Sequence, residues 1–361
     1  MAAIWMIVLA VVLVFGQTIY YHKRGLFRVH YTRRFSTEKV FAGENVELLE
    51  ELTNDKLIPV PWVRVESRIS SNLRFRRQEN MGLSMDLFHK SMFYLGSYAK
   101  ITRHHYIECL HRGYYDCSLV SVVAGDLLGL AHDRRDMEGN AKLYVYPPLL
   151  SRDELPDTAL KWQGDVTVRR WILPDPILVT GIREYRSGDP QKDVHWGATA
   201  RTGQLQVKQR DFTVSPRALL ILNCQYAQSL FGLMEPEQQE FIEHGVNLCA
   251  TLASWCVRNG IDVGFLTNGE NRLRPDERVY VAPRCSDAQL ELILETMALL
   301  NIKMKLDLHT LLDRQIEAAV TDMDILIVSA YWNEELEFRA ARLRQLGNSV
   351  TWLPIREGNR A

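Results

Sequence analysis

Hydrophobic residues are continuous at the start of the chain and periodic over most of the rest. Every residue from Ala2 to Phe15 is apolar, and the run recovers at residues 19–21. Because a helix rises about 1.5 Å per residue, about 20 residues cross a hydrocarbon core of about 30 Å. The pattern therefore predicts a transmembrane anchor over residues 1–21.

A basic stretch without acidic residues follows at positions 22–34, and it contains Lys23, Arg24, Arg28, Arg33 and Arg34. The positive-inside rule places the downstream chain in the cytoplasm. A cleaved signal peptide needs basic residues before the apolar run and a small-residue cleavage site after it, and neither is evident. We expect a single-pass protein of the inner (cytoplasmic) membrane with cytoplasmic soluble domains and a juxtamembrane segment at 22–34. The alternative is a buried N-terminal helix, which should carry a polar stripe.

Polar and apolar positions alternate between residues 35 and 150. The alternation is clearest from Trp62 to Ile69, as in a strand with one buried face. Similar runs predict further strands at Asn45 to Leu52, Ala99 to Cys109, Tyr114 to Val123, and Lys142 to Tyr146. Pro59 and Pro61 put the stretch Lys56 to Trp62 at an edge or in a connection, because proline cannot donate to a ladder. The region is predicted to be a β-rich, sandwich-like domain.

Strand and helix patterns alternate from residue 212 to 361. The apolar run Ala218 to Leu222 suits a strand buried on both faces, and helical spacing follows from Phe241 to Cys256. Later elements are predicted as strands at Ile261 to Leu266, Asp324 to Ser329 and Val350 to Ile355, and as helices after Ser286 and over Asn333 to Leu346. This order predicts an α/β domain with a mostly parallel sheet. The whole chain is then an α+β multidomain protein behind a transmembrane helix.

Composition limits the function without defining it. At roughly 150 residues per domain, 361 residues fit two globular domains. Lys plus Arg number 43 and Asp plus Glu number 44, so the net charge of -1 favours no nucleic-acid partner. Six cysteines are scattered singly, which is typical of free thiols in a reducing compartment.

The most distinctive stretch lies in a signature linker segment at residues 151–211. Residues 181–210 read GIREYRSGDPQKDVHWGATARTGQLQVKQR. Their Arg-Glu-Tyr, Gly-Asp, His-Trp, Ala-Arg and Leu-x-Val elements resemble the signature of the domain of unknown function 58 family. These elements are carried by Arg183, Glu184, Tyr185, Gly188, Asp189, His195, Trp196, Ala200, Arg201, Leu205 and Val207. Upstream stretches are similar to other landmarks of the family, namely Arg112 to Tyr114, Asp126 to Leu130, and Val145 to Pro147.

The resemblance implies an architecture and a set of partners. Members of the family combine N-terminal membrane anchoring, a β-rich segment and a domain like von Willebrand factor type A. Many are encoded beside a MoxR-type AAA+ ATPase, often with other type A domain proteins and transglutaminase-like proteins. The resemblance therefore implies a membrane-tethered, non-catalytic interaction or adaptor protein that works with such an ATPase in assembly or maturation of protein complexes. This chain departs from the commoner two-helix anchor of the family, because it has one apolar span.

Two interpretations of the signature stay open. Gly188, Asp189 and Pro190 favour a rigid turn, and Trp196 is expected to anchor the loop on the core. The signature would then be a structural or docking segment, formed by Arg183, Glu184, Tyr185, Gly188, Asp189, Asp193, His195, Trp196, Ala200 and Arg201.

The alternative is a hydrolase-type enzyme in which Asp193 orients His195 as a base beside Arg201. No Ser or Cys nucleophile accompanies the pair in sequence. The chain also lacks a phosphate-binding Gly-x-x-x-x-Gly-Lys loop, a Gly-x-Ser-x-Gly elbow and a His-Glu-x-x-His motif. We therefore predict that the protein is not an enzyme.

Type A domains that bind Mg²⁺ hold the ion with Asp-x-Ser-x-Ser after the first strand, plus a Thr and an Asp from later loops. After Leu222 this chain has Asn223, Gln225 and Ala227 at the corresponding positions. Neutral amides alone do not offset the dehydration of Mg²⁺, so we predict no metal site and no cofactor. The remaining alternative, a metal-dependent adhesion domain, predicts stabilisation by Mg²⁺.

Overall fold

The structure is a computed structural model that describes residues 2–75, 88–130, 132–172, 179–210, 216–226 and 235–355. The chain divides into two compact units. Unit 1 contains residues 1–148 and 297–299, and unit 2 contains residues 149–296 and 300–361.

Unit 1 begins with an apolar helix, α1, over Ala2–Arg24. Residues Ile4–Arg24 are long and apolar enough to cross a membrane, which agrees with the predicted anchor. The helix continues past the predicted end at residue 21 into the basic residues, because its backbone hydrogen bonding runs to Gly25, whose N–H bonds Tyr21 O at 3.0 Å.

The described part of unit 1 is otherwise built from strands. They are β1 (Val29–Phe35), β2 (Lys39–Phe41), β3 (Asn45–Asn54), β4 (Val60–Arg68), β5 (Leu73–Phe75), β6 (Phe88–Leu95), β7 (Lys100–Cys109), β8 (Gly113–Asp116), β9 (Leu119–Gly125), β10 (His132–Glu138) and β11 (Lys142–Tyr146). Two antiparallel sheets have the orders β1-β3-β7-β5 and β10-β9-β4-β6, and a third has the order β2-β11-β8. The prediction of a β-rich region is confirmed.

One face of the β1-β3-β7-β5 sheet covers two separate hydrophobic cores. Leu52 of β3 packs in a core with Val63 and Val122 of the β10-β9-β4-β6 sheet. Leu48 of the same strand packs in another core with Leu143 of β11. These side chains share a face because residues of a strand alternate in direction, so β3 extends across both cores.

Two details of the predicted strands are wrong. The run Tyr114 to Val123 forms two strands, because the chain turns at Cys117 and Ser118, where the Ser118 N–H donates to the Asp116 carboxylate at 3.0 Å. Pro61 lies inside β4 rather than in a connection. The register against β6 shifts between Val60 and Val63, and such a bulge accommodates a residue that cannot donate.

The segment 22–34, predicted as juxtamembrane, contains the end of α1 and most of β1. Arg33 is only 1% exposed, so it does not contribute to the basic surface beside the anchor. The reason is the alternation of β1, in which Val29, Tyr31, Arg33 and Phe35 all face inward. Lys23, Arg24, Arg28 and Arg34 are exposed.

The described part of unit 2 alternates strands with helices. Its elements are α2 (Asp157–Ile172), β12 (Val179–Glu184), α3 (Trp196–Thr202), β13 (Gln206–Arg210), β14 (Arg217–Leu222), α4 (Pro236–Arg258), β15 (Asp262–Thr267), β16 (Glu270–Asn271), β17 (Tyr280–Arg284), α5 (Asp287–Ala298), β18 (Leu300–Asn301), α6 (Leu308–Glu317), β19 (Asp324–Ser329), α7 (Glu334–Gln345) and β20 (Ser349–Pro354). The four strands predicted here are confirmed as β14, β15, β19 and β20.

The main sheet of unit 2 has the order β17-β15-β14-β19-β20. All neighbours are parallel except β17, which pairs antiparallel with β15 at the edge. Helices α6 and α7 cover one face through Leu308, Leu312 and Leu336, and α4 contacts β14, β15 and β19. The predicted mixed α/β architecture with a mostly parallel sheet is confirmed.

Candidate functional site

The carboxyl ends of β14 and β19 lie side by side in the middle of the sheet, where the strand order reverses direction. Open α/β sheets bind ligands at such a switch point. In this chain a group of polar residues, which we name the amide cluster, lies at the carboxyl ends of these strands. Its members are Asn223, Cys224, Gln225, Thr267, Asn268 and Ser329.

The amide cluster is held by direct hydrogen bonds between strand ends. Asn223 Nδ2 donates to Ser329 Oγ at 2.8 Å, which joins the ends of β14 and β19. Asn268, which follows β15, donates from Nδ2 to Asn223 Oδ1 at 2.8 Å and to Leu306 O at 3.0 Å. Asn268 Oδ1 in turn accepts the Cys224 N–H at 2.7 Å. The cluster thus ties three adjacent strands together.

The acceptor capacity of Asn223 is fully used within the protein. Its Oδ1 accepts both the Asn268 amide at 2.8 Å and the Gln225 N–H at 3.0 Å, and an amide oxygen has two lone pairs. Asn223 is 0% and Asn268 2% exposed, so water does not compete for these bonds. An oxygen in this state cannot ligate a cation without losing a buried hydrogen bond.

Two of the three positions predicted as degenerate metal ligands, Asn223 and Gln225, lie in this cluster, and Ala227 lies outside the described residues. Among the described residues no group of three or more His, Cys, Asp and Glu side chains is placed to hold a metal ion. The residues present at the edge do not fit Mg²⁺, because their oxygens are neutral and Asn223 Oδ1 already accepts two hydrogen bonds.

Two of the six cysteines, Cys249 and Cys256, lie on the buried side of α4. Burial raises the pKa of both thiols far above the ordinary value of a cysteine. A thiol rather than a thiolate is therefore present at neutral pH, and these side chains are unreactive.

In the signature segment, strands β12 and β13 form an antiparallel pair that frames the loop and α3. Arg183 NH1 and NH2 each donate to the Asp189 carboxylate at 2.7 Å, and the Arg186 N–H donates to the same carboxylate at 2.8 Å. These bonds to Arg183 and Arg186 lower the pKa of Asp189 to about 2. Gly188 has φ of +109°, a conformation that a side chain would strain. The expected rigid turn is present.

His195 is the N-cap of α3, a structural role that uses one of its ring nitrogens. Its Nδ1 accepts the Ala198 N–H at 3.0 Å. A neutral imidazole has one accepting nitrogen, so the proton resides on Nε2 and no lone pair is left to take a proton from a substrate. His195 N also donates to Gln206 O at 2.7 Å, which fixes the cap against β13.

Trp196 was expected to anchor the loop on the core, and this expectation is wrong. Its side chain is 69% exposed. It is the first residue of α3, a helix of seven residues. The helix contacts β13 through Thr199, whose Oγ1 accepts the Gln206 N–H at 3.0 Å. Of the other signature residues, Glu184, Ala200 and Arg201 are exposed, while Tyr185 and Asp193 are half-buried.

Sequence reasoning missed Asn268 and the capping role of His195. Asn268 lies two residues after the predicted strand Ile261 to Leu266, within the pair Asn268-Gly269. A polar residue at the carboxyl end of a second buried strand was the available signal, since adjacent parallel strands end at the same edge.

The described residues define a class of protein in which an apolar N-terminal helix precedes a β-rich unit and an α/β unit with a closed polar cluster at its switch point. The model of the family described as "Protein of unknown function DUF58" matches residues 181–356. That range begins at the signature and continues through the main sheet of unit 2, so this part of the chain is similar to the DUF58 family. A search of curated proteins found no match.

Several solved structures share low similarity with part of this chain. The CARDB domain of the PF1109 protein from Pyrococcus furiosus is 13% identical, with 31% of this chain and 93% of that chain covered and a TM-score of 0.19. A non-cellulosomal cohesin from Archaeoglobus fulgidus is 9% identical, with 34% and 94% covered and a TM-score of 0.22. The sixth cohesin of scaffoldin B from Acetivibrio cellulolyticus is 9% identical, with 32% and 98% covered and a TM-score of 0.24. Similarity at this level assigns neither fold nor activity.

Proposed function

We propose that this protein is a membrane-tethered, non-catalytic interaction or adaptor protein that works with a MoxR-type AAA+ ATPase in assembly or maturation of protein complexes. Its α/β unit is a von Willebrand factor type A-like domain in this proposal. The observation that carries it is the amide cluster, whose neutral groups bond one another at the position where such a fold would otherwise hold a ligand. Because the amide cluster occupies the carboxyl edge of the sheet with bonds inside the protein, we expect partners to bind at another surface.

Three further features support the proposal. The sheet is parallel apart from one antiparallel edge strand, β17, which agrees with the mostly parallel sheet expected for the α/β domain. The DUF58 match covers the whole main sheet. The apolar helix Ile4–Arg24 and the exposed Lys23, Arg24 and Arg28 at its carboxyl end favour a single pass through the inner membrane with the soluble units in the cytoplasm.

The engaged Nδ1 of His195 counts against the hydrolase alternative, because the base of that mechanism would need a free lone pair. The saturated Oδ1 of Asn223 counts in the same way against the metal-dependent adhesion alternative. Both alternatives would place function where side chains are already committed to structure.

The signature segment is the proposed docking surface for the ATPase. Its base is rigid, since the Arg183–Asp189 pair and the His195 cap fix the loop and α3. On this base Trp196 presents a large aromatic surface to solvent. Aromatic side chains on a preorganised support are typical centres of protein interfaces, because little conformational entropy is lost when a partner covers them. Other type A domain or transglutaminase-like membrane proteins are proposed as further members of the assembly.

The test is capture of the purified MoxR-type AAA+ ATPase by the full chain in lipid nanodiscs, with and without ATP. We expect Trp196→Ala to weaken binding by roughly tenfold or more, as for an aromatic side chain at an interface centre. Phe338→Ala is the matched control, since Phe338 lies on α7 outside the signature and is 64% exposed.

Two results would contradict the proposal. Lack of binding by the unchanged chain in either nucleotide condition removes the proposed partner. Equal weakening by the Trp196 and Phe338 variants removes the signature as the docking surface. A thermal melt of each variant confirms that both are folded as the unchanged chain.

A further inference from the structure

Two loops of unit 1 lie against the carboxyl-terminal part of α1, and both expose large apolar side chains. The first, which we name the leucine loop, comprises residues 126–130 between β9 and β10. Its Leu127, Leu128 and Leu130 are 71%, 57% and 65% exposed. The second, the Ile58 loop, comprises residues 55–59 between β3 and β4, with Leu57 70% and Ile58 39% exposed.

The leucine loop is attached to α1 by a direct polar contact. Thr18 Oγ1 of the helix lies 3.2 Å from Asp126 Oδ2, and Asp126 is fully buried. The other carboxylate oxygen of Asp126 accepts the Leu130 N–H at 2.8 Å, so the same side chain closes the loop. Gly129 has φ of +71°, which lets the loop turn back without strain. The stretch Asp126 to Leu130, which is similar to a landmark of the DUF58 family, therefore forms a fixed turn.

The Ile58 loop is attached to the same end of the helix. Tyr21 OH donates to Pro59 O at 2.9 Å. Lys56 Nζ donates to Gly25 O at 2.6 Å and to Arg24 O at 3.2 Å, which fills the carbonyl groups left open at the helix end. Both loops are thus held beside the last turns of the helix that would leave the membrane.

The position of the contacts along α1 sets the depth of the leucine loop. Thr18 precedes Arg24 by six residues, which is about 9 Å along a helix. The exposed Lys23, Arg24 and Arg28 belong at the level of the lipid headgroups. A loop in contact with Thr18 then lies below that level, where interfacial apolar side chains reach about 5–10 Å into the headgroup and acyl boundary.

Aromatic residues support the same placement. Phe27 lies three residues after the end of α1 and is 47% exposed, with the guanidinium groups of Arg24 and Arg28 at 5.8 and 5.6 Å from its ring centroid. An aromatic ring flanked by basic groups is typical of the membrane–water interface, where one side is apolar and the other meets anionic headgroups.

We infer that the leucine loop and the Ile58 loop form a second membrane contact, which inserts into the lipid interface beside α1 and fixes the orientation of unit 1 on the bilayer. The inference rests on the anchoring role of α1 in the proposed function. Its ligand is the phospholipid surface itself, because the apolar groups continue the apolar surface of the anchor and the basic groups lie at its rim.

The experiment places one environment-sensitive fluorophore on the full chain in phosphatidylethanolamine–phosphatidylglycerol vesicles. Cys285 is the exposed cysteine and the other five are buried, so Cys285→Ser gives a background for single labels. The test site is Leu128→Cys. The matched control is Leu119→Cys, which is 74% exposed on the opposite end of β9, about 20 Å from Gly125 along the strand. A third label at Leu13→Cys reports on the anchor.

Quenching by lipids that carry a doxyl group near the headgroup distinguishes the outcomes. We expect quenching at position 128 to be roughly threefold stronger than at position 119, with a blue-shifted emission at position 128, as for an interfacial apolar group. Quenching at position 13 but equal, weak quenching at 128 and 119 overturns the inference and leaves the anchor intact. Lack of quenching at both 13 and 128 overturns the inference together with the anchor.

A second measurement removes the contribution of the fluorophore's own affinity for lipid. With the label moved to Leu57→Cys, the triple change Leu127→Gln, Leu128→Gln and Leu130→Gln should reduce its lipid quenching by roughly half or more, because the two loops enter the bilayer together. Unchanged quenching at position 57 would overturn the cooperative contact. Leu119→Gln is the control and should have no effect.

Discussion

Each unit contains a buried polar group, and the two groups differ in charge. In unit 1 the buried group is charged: Arg33 and Glu50 are each 1% exposed, with Arg33 Nε 3.4 Å from Glu50 Oε1. In unit 2 the amide cluster is neutral, and each bond joins an amide, a hydroxyl or a backbone group. A buried charge depends on its partner for compensation, whereas a buried amide depends on hydrogen-bond geometry alone.

The charged group lies between the two hydrophobic cores of unit 1. Tyr31 OH donates to Glu50 Oε1 at 2.9 Å, His105 Nε2 lies 2.9 Å from Glu50 Oε2, and Arg33 NH1 donates to Cys117 O at 3.3 Å. Burial, and then the Glu50 charge, raises the pKa of Tyr31, which therefore stays protonated and keeps donating. Unit 1 therefore uses a charge to fix how strands pair across two cores, while unit 2 uses neutral groups to join the carboxyl ends of adjacent strands.

The largest effect is expected from removing one partner of the buried charge. Glu50→Ala leaves Arg33 buried without its carboxylate and should lower the free energy of unfolding by about 3–5 kcal/mol. The double change Arg33→Met with Glu50→Leu should recover most of that loss, because no charge is then left uncompensated. Chemical denaturation of the full chain in detergent measures both. A double variant as unstable as Glu50→Ala would show that the charge pair is not the cause.

A smaller but clear loss is expected in the neutral cluster. Asn268→Ala leaves the buried Cys224 N–H and the part-buried Leu306 C=O without this partner, and a buried group left in this way costs about 1–3 kcal/mol. We expect a total loss of about 2–4 kcal/mol by chemical denaturation. Asn259→Ala is the control, since Asn259 is an exposed residue at the end of α4 and its loss should cost under about 1 kcal/mol. Equal losses for the two variants would mean that the cluster is not a structural tie.

The Arg183–Asp189 ion pair of the signature is only half-buried, so it shows what charge contributes with less burial. Hydrogen bonds from Arg183 and Arg186 hold the pKa of Asp189 at about 2, below the ordinary 3.8. A depressed carboxyl pKa adds stability that is complete above 3.8 and is lost as the pH falls through 2. Carbon-13 NMR of labelled aspartate should show this carboxyl titrating near pH 2, and Arg183→Ala should move the midpoint towards 3.8. A midpoint near 3.8 in the unchanged chain would contradict the observed pairing.

The smallest effect is expected from Mg²⁺. Because Asn223 Oδ1 already accepts two hydrogen bonds, excess Mg²⁺ should change the melting temperature by less than about 1 °C. Differential scanning calorimetry with Mg²⁺ and with a chelator measures this directly. A saturable rise that the chelator reverses would favour the metal-dependent adhesion domain and would make the amide cluster a metal site after all.

The sequence predicted those features that depend on local pattern. Local sequence was enough to predict the apolar strands β14, β15, β19 and β20 and the apolar helix α1, without knowledge of the elements that pack against them. The same alternation that predicted β4 also marks Arg33 as an inward position of β1, although a positive charge suggested a membrane-facing role. Burial of Arg33 depends on Glu50 from another strand, and no local pattern reports that pairing.

The candidate sites were predictable only in part, because some of their contacts join strands that are distant in sequence. Asn223 and Gln225 were identified because they directly follow the first buried strand of the α/β region. Asn268 was missed because its contact with Asn223 comes from the order of strands in the sheet. His195 and Trp196 were placed in the right segment, but a polar side chain before a short helix suits a cap as well as a base, and only the bond from Ala198 distinguishes them.

The central claim is that α1 anchors an interaction protein in a membrane, and alkaline carbonate extraction of membranes that contain the full chain tests it most directly. We predict that the full chain stays in the membrane pellet, while a variant without residues 2–21 appears in the supernatant under the same wash. Release of the full chain into the supernatant together with that variant would contradict the claim.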